Sequence, residues 1–159
     1  MATVKPSVKP IPDQYPRLTP YLCVDGAAQA ITFYTTVFGA KERMRLPAPN
    51  GRIGHAELQI GGSVIMLADE YPEMNVLGPK RVGGTPVTLS LYVDAVDEVF
   101  ERALKAGAKS LRPVANQFYG DRSGQFEDPF GHRWSVATHV EDVSPEEMAR
   151  RAAELMPQS

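Results

Sequence analysis

Two copies of one pattern of apolar and polar positions run along this chain. The run Thr19-Pro-Tyr-Leu-Cys-Val-Asp25 returns as Thr88-Leu-Ser-Leu-Tyr-Val-Asp94, offset by 69 positions. Each run alternates and carries β-branched and aromatic residues, which predicts a strand, and each ends in an Asp suited to cap a following helix. Helical spacing follows. Ala27, Ala30, Ile31, Tyr34 and Phe38 fall on one face, as do Val96, Val99, Phe100, Ala103 and Leu104. Gly39-Ala-Lys41 and Gly107-Ala-Lys109, offset by 68, stand where those helices stop, with glycine suited to the left-handed position after a helix. Short strands are then predicted at 42–46, 54–60 and 63–68 in the first copy, and at 110–113, 125–128 and 133–138 in the second. Gly61-Gly62 and Asp128-Pro-Phe-Gly131 mark the hairpin turns.

Each copy therefore reads β-α-β-β-β. The predicted fold is α+β: tandem βαβββ modules forming a curved mixed sheet around a cavity, with the helices outside. Module 1 spans about residues 17–70 and module 2 about 84–143, together a domain at 17–143. A proline-rich arm at 1–16 precedes it, since Pro6, Pro10, Pro12 and Pro16 deny that stretch a helix or a central strand. A helix at 144–159 follows, with Ser144 as N-cap, Pro145 at the first helical position and Glu147 as capping-box partner. Its apolar stripe is Met148, Ala152 and Leu155.

Alternation also sorts the strands by face. Leu22, Val24, Leu89, Leu91 and Val93 are expected against the helices. Thr19, Tyr21 and Cys23, with Thr88, Ser90 and Tyr92, take the opposite face, as do His55, Glu57 and Gln59. A partly polar inner face suits a ligand cavity, a solvated surface or a subunit contact equally.

Composition removes alternatives rather than adding one. Seventeen Lys and Arg against nineteen Asp and Glu give a formal net charge of -2, without the basic footprint that nucleic acid needs. Apolar stretches fall short of bilayer length, so no membrane partner is expected. The single cysteine, Cys23, excludes an internal disulfide and fits a cytoplasmic location. Neither a nucleophile elbow nor a phosphate-binding glycine loop is present.

Several longer motifs carry a resemblance. They are the Val-Asp pair before each helix, Phe33-Tyr34-x-x-x-Phe38-Gly39, and Asp128-Pro-Phe-Gly-His132. Together they resemble the vicinal oxygen chelate superfamily of glyoxalase I, fosfomycin- and bleomycin-resistance proteins and ring-cleaving dioxygenases. Leu18-Thr-Pro-Tyr-Leu, Gly54-His-Ala-Glu57, Gly83-Gly-Thr-Pro86, Phe118-Tyr-Gly-Asp-Arg122 and Thr138-His-Val-Glu-Asp142 are similar to its PhnB-like subgroup. The resemblance implies a divalent metal held by His, Gln or Glu. These come from five residues before the Val ending each module's first strand, and from each module's last strand. Those positions hold Thr19, Thr88, Met66 and Ser135 here. Three hydroxyls and a thioether do not make a divalent site, so no cofactor is expected, and a metal could enter only through a non-standard site.

The resemblance then implies a metal-independent small-molecule-binding protein that sequesters or senses an apolar or aromatic ligand, as a homodimer whose modules can exchange between chains. The expected ligand-binding residues are Thr19, Tyr21, Thr88, Ser90, Tyr92, Phe118, Tyr119, Asp121, Arg122 and Ser135. The alternative is a lyase, isomerase or transferase that uses His55 and Glu57. Two apart on a strand, these share a face and suit a base with its orienting acid, two ligands of a displaced metal, or a plain hydrogen-bonded pair. Glu127, Asp121 and His139 are the candidate third ligands.

Overall fold

The computed structural model describes residue 3 and residues 7–156. Residues 1, 2 and 4–6 of the expected arm and 157–159 of the expected tail lie outside the described residues. The chain forms two compact units that meet at the Gly78–Pro79 bond. Among the described residues no helix is long and apolar enough to cross a membrane.

The first unit runs β1 (Tyr21–Val24), α1 (Ala27–Phe38), β2 (Lys41–Pro47), β3 (Ile53–Ile60) and β4 (Ser63–Asp69). Its sheet order is β1-β4-β3-β2, with β1 parallel to β4 and the other pairs antiparallel. The second unit repeats this. A single-turn helix α2 (Pro79–Val82) leads into β5 (Thr88–Tyr92), α3 (Val96–Lys105), β6 (Lys109–Asn116), β7 (Asp121–Glu127) and β8 (Arg133–His139). The order β5-β8-β7-β6 is the same topology. Register repeats as well: Tyr21 pairs with Met66, and 69 positions on Ser90 pairs with Ser135. The mixed sheet predicted from the sequence is thus realised as two four-stranded mixed sheets, one for each repeat.

One face of each sheet packs on its helix. Leu22, Val24, Ala56, Leu58 and Leu67 are buried with Ala27, Ala30, Ile31, Tyr34 and Val37 in the first unit. Phe126, Trp134 and Val136 are buried with Val96, Val99, Phe100 and Ala103 in the second. A Cβ on Gly124 would lie 2.9 Å from both Phe100 and Val114, so only hydrogen fits between β7 and the aromatic ring. Asp128 ties its hairpin by accepting from the amides of Phe130 and His132, and from the indole N–H of Trp134.

The helix starts depart from expectation. Asp25 and Asp94 do not cap α1 and α3; the N-cap positions are Gly26 and Ala95, neither with a side-chain cap. Instead the last strand of each unit reaches back. Asp69 Oδ1 accepts from the Gly26 and Ala27 amides at 3.0 and 2.7 Å, while its Oδ2 accepts from Ile53 at 2.7 Å. Thr138, 69 positions later, accepts from the Val96 amide at 2.9 Å and donates to the Val93 carbonyl at 2.8 Å. A side-chain oxygen at the end of a neighbouring strand, carboxylate in one unit and hydroxyl in the other, thus meets the exposed amides of each helix start in place of the turn aspartates.

The C-terminal helix α4 (Pro145–Leu155) begins as predicted, with Ser144 Oγ accepting from the Glu147 amide at 3.2 Å. The Glu147 carboxylate pairs with Arg150 and Arg151 rather than closing a capping box. Of the expected stripe, Met148 and Ala152 are half-buried and Leu155 is exposed. Arg151 fixes the helix instead, donating to the Phe118 carbonyl and to the Glu141 carboxylate.

Candidate functional site

Polar chemistry gathers on the sheet face turned away from the helix in each unit. In the first unit, β3 carries His55 and Glu57 and β1 carries Tyr21. Tyr21 Oη lies 2.7 Å from His55 Nδ1, and His55 Nε2 lies 2.8 Å from Glu57 Oε2. The series is satisfied with the ring proton on Nε2, so that Tyr21 donates to Nδ1 and His55 donates to the carboxylate. Glu57 is only 4% exposed, because Tyr15 of the arm lies over it and donates its hydroxyl to Oε1 at 2.7 Å. Burial alone would raise the Glu57 carboxyl, but the hydrogen bonds from His55 and Tyr15 outweigh it and hold the group below its ordinary range. The same bond to Glu57, with burial, raises the Tyr15 phenol. His55 and Glu57 therefore form an ionised carboxylate with an oriented imidazole.

In the second unit, the corresponding face opens into a cavity of about 290 Å³. Ser90, Tyr92, Tyr119, Asp121, Ser123 and Ser135 line it, with Leu91 and Ala137. Asp121, 6% exposed, accepts from Tyr92 Oη at 2.6 Å and meets His139 Nδ1 at 2.8 Å. The other ring nitrogen of His139 lies 2.8 Å from Asp142. With a carboxylate on each nitrogen, hydrogen bonds to Asp121 and then Asp142 push the His139 pKa up, despite opposing desolvation. The wall is richer in hydroxyls than a purely apolar or aromatic ligand requires.

Five of the predicted ligand-binding residues, Ser90, Tyr92, Tyr119, Asp121 and Ser135, share this cavity. The others lie elsewhere. Tyr21 joins His55, and Thr19 is half-buried just before β1. Thr88 is exposed at the start of β5, opposite Arg133. Phe118 stands edge-on to Tyr119, their ring centroids 5.2 Å apart. Arg122 forms a two-pronged pair with Asp97 at 2.8 Å for each bond, and also reaches Asn116. Its partner is on α3 and not the adjacent Asp121. Leu91, Ser123 and Ala137 were not anticipated there, Leu91 being expected against the helices. Starting β7 at residue 125 hid Ser123; the observed start at Asp121 puts Asp121, Ser123 and Gln125 on one face.

The metal positions implied by the resemblance do not fit a divalent cation. Thr19, Met66, Thr88 and Ser135 offer no carboxylate or imidazole. Of the candidate third ligands, Asp121 and His139 bind each other, while Glu127 sits at the far end of β7. Among the described residues no group of three or more His, Cys, Asp or Glu is arranged to hold a metal ion.

The family model for the Glyoxalase/Bleomycin resistance protein/Dioxygenase superfamily matches residues 16–136, both repeats included. The chain belongs to that superfamily. A relative in Mycobacterium bovis, Mb0911c, is 46% identical over 136 residues, which cover 84% of this chain and 90% of that one. The crystal structure of PA1353 from Pseudomonas aeruginosa superposes with a TM-score of 0.62 at 27% identity, covering 78% of this chain and 98% of that one. A PhnB protein from Bacillus cereus shares the glyoxalase-superfamily fold at a TM-score of 0.63, with 19% identity and coverage of 77% and 99%.

Proposed function

We propose that this glyoxalase-superfamily protein binds a small organic molecule in the cavity of its second unit, without a resident metal. The observation that carries this reading is the wall itself. Three serines and two tyrosines surround a carboxylate already fixed by Tyr92 and His139. At about 290 Å³ the space falls just short of the ~300–1,000 Å³ of ligand pockets, the size for a single substituted ring. Tyr92 and Tyr119 supply aromatic surface, and the serines hydrogen-bond polar substituents. The donor chemistry at the four metal positions supports the metal-free part, and the bleomycin-resistance branch of the superfamily offers sequestration as its mode of action.

A fragment library of substituted rings, followed by saturation-transfer NMR, tests this directly. Hits should persist after dialysis against EDTA and vanish in Ala137→Phe, which fills the cavity. Hits that need added Zn²⁺ or Mn²⁺, or that survive Ala137→Phe, refute it. Light scattering of the same samples tests the homodimer that this reading includes.

The ordered Tyr21–His55–Glu57 series favours a second reading, a lyase, isomerase or transferase with His55 as base. Under it, His55→Ala abolishes turnover of a superfamily substrate and leaves the fold intact; unchanged turnover excludes it.

A further inference from the structure

Among the described residues 7–18 of the N-terminal arm, one side chain is drawn into the first unit. Every other residue from 7 to 18 is exposed, and Tyr15 alone among them is half-buried. The arm has local order of its own: Lys9 pairs with Asp13 at 2.8 Å, and the Tyr15 amide donates to the Pro12 carbonyl at 3.4 Å. It thus presents Tyr15 as a single projecting phenol.

The surface that receives this phenol is specific. Its hydroxyl meets Glu57 Oε1 at 2.7 Å, and the other carboxylate oxygen is occupied by His55, itself fixed by Tyr21. The Arg43 guanidinium carbon stands 4.8 Å from the centre of the Tyr15 ring. A cation over the ring face and an anion at the hydroxyl recognise a phenol at both ends. Tyr15 leaves one group unanswered: Arg43 Nη1 is buried without a hydrogen-bond partner among the described residues. A phenol that also carries a carbonyl acceptor has a group for that donor, which a tyrosine side chain lacks.

We propose that the helix-distal sheet face of the first unit is a binding site for acceptor-bearing phenols, made by Glu57, His55, Tyr21 and Arg43, and that Tyr15 fills it in cis until such a ligand displaces the arm. Its residues all belong to the first unit, none of them lines the cavity of the second, and the inference does not rest on that cavity. Because the arm competes within the same molecule, apparent affinity for a free phenol is reduced by the fraction of chains in which the arm has left.

Calorimetric titration of the full-length chain with 4-hydroxyacetophenone tests the site, with acetophenone as the ligand lacking the hydroxyl. Tyr15→Ala should bind the phenol at least tenfold more tightly than the unaltered chain, and at least tenfold more tightly than it binds acetophenone. Adding Glu57→Leu should bring the two ligands within threefold. Adding Arg43→Ala, on an edge strand, should weaken both, and it keeps the test decisive if the Glu57 variant fails to fold. Equal affinity of the unaltered and Tyr15→Ala chains overturns the proposal, as does equal binding of the two ligands by Tyr15→Ala. Adding Ala137→Phe to Tyr15→Ala separates the two sites: undiminished phenol binding supports this site, and its loss assigns the binding to the second unit.

Discussion

Replacing Asp69 should damage the first unit more than a half-buried aspartate at a strand end ordinarily would. Its two oxygens serve three backbone amides: those of Gly26 and Ala27 at the start of α1, and that of Ile53 at the start of β3. In Asp69→Ala the start of α1 loses the carboxylate that accepts from its amides, about 0.5–2 kcal/mol for a cap. The Ile53 amide is orphaned as well, about 1–3 kcal/mol for a donor left without a partner. A total near 3 kcal/mol is a large share of the ~5–15 kcal/mol that holds an ordinary domain together. It corresponds to a fall of about 6–12 °C in Tm for a chain of this size. Asp69→Asn separates the two contributions. It keeps an oxygen for the helix and turns an NH₂ toward the Ile53 amide, so its loss should be smaller, about 2 kcal/mol. Equilibrium unfolding in urea, with the slope m compared between variants, measures both. An alanine variant within 0.5 kcal/mol of the unaltered protein would refute the capping role. An asparagine variant as unstable as alanine would refute the partition between helix and strand.

Gly124→Ala should cost about 1–3 kcal/mol in the same assay, because its methyl group would stand 2.9 Å from Phe100 and Val114; a neutral substitution would mean that the ring moves aside easily. His139 has its pKa raised above the ordinary 6.5, so its contribution to stability is complete below that pH and lost as pH rises through the folded value. His139→Gln should flatten the pH dependence of stability above 6.5, and an unchanged pH profile counts against the two-carboxylate clasp. Glu57 is lowered from 4.5, so its contribution is present above that value and is lost as acid protonates the folded carboxyl. Tyr15→Phe removes one of the bonds that lower it, so NMR titration of the Glu57 carboxyl should show an upward shift; no shift would mean that the phenol and carboxylate do not meet.

The architecture was legible because the repeat is written in spacing. The offset of 69 that relates Tyr21 to Ser90 in sequence also relates their register partners, Met66 and Ser135, in space. Strand faces followed from alternation, which put His55 and Glu57 together with Tyr21, and Ser90 with Tyr92. What escaped were contacts set by tertiary approach. Asp25 and Asp94 satisfy every local rule for a cap, yet Asp69 and Thr138 take that role from a strand more than forty residues away. Arg122 sits beside Asp121 in the chain and pairs with Asp97 on α3. The docking of Tyr15 had no local signal at all, since proline content says where an arm is extended and not what it touches. The repeated offset could have exposed the caps, because Asp69 and Thr138 are equivalent positions.

The outer strands β2 and β6 are also equivalent, and they bear on how copies of this chain can assemble. Each is the long antiparallel border of its sheet. β2 carries Lys41, Arg43, Arg45 and Pro47, and β6 carries Lys109, Arg112 and Pro113. Both have register shifts along their inner pairing. Cationic side chains, proline and bulges all oppose continuation of a sheet into a neighbouring molecule. The opposite borders, β1 with the sequence YLCV and β5 with TLSLY, have neither charge nor proline, and they are four and five residues long. Growth of either sheet by strand addition is thus blocked along its long side and restricted to a short parallel strand on the other. Along its long border, each sheet is thus guarded against open-ended edge-to-edge growth.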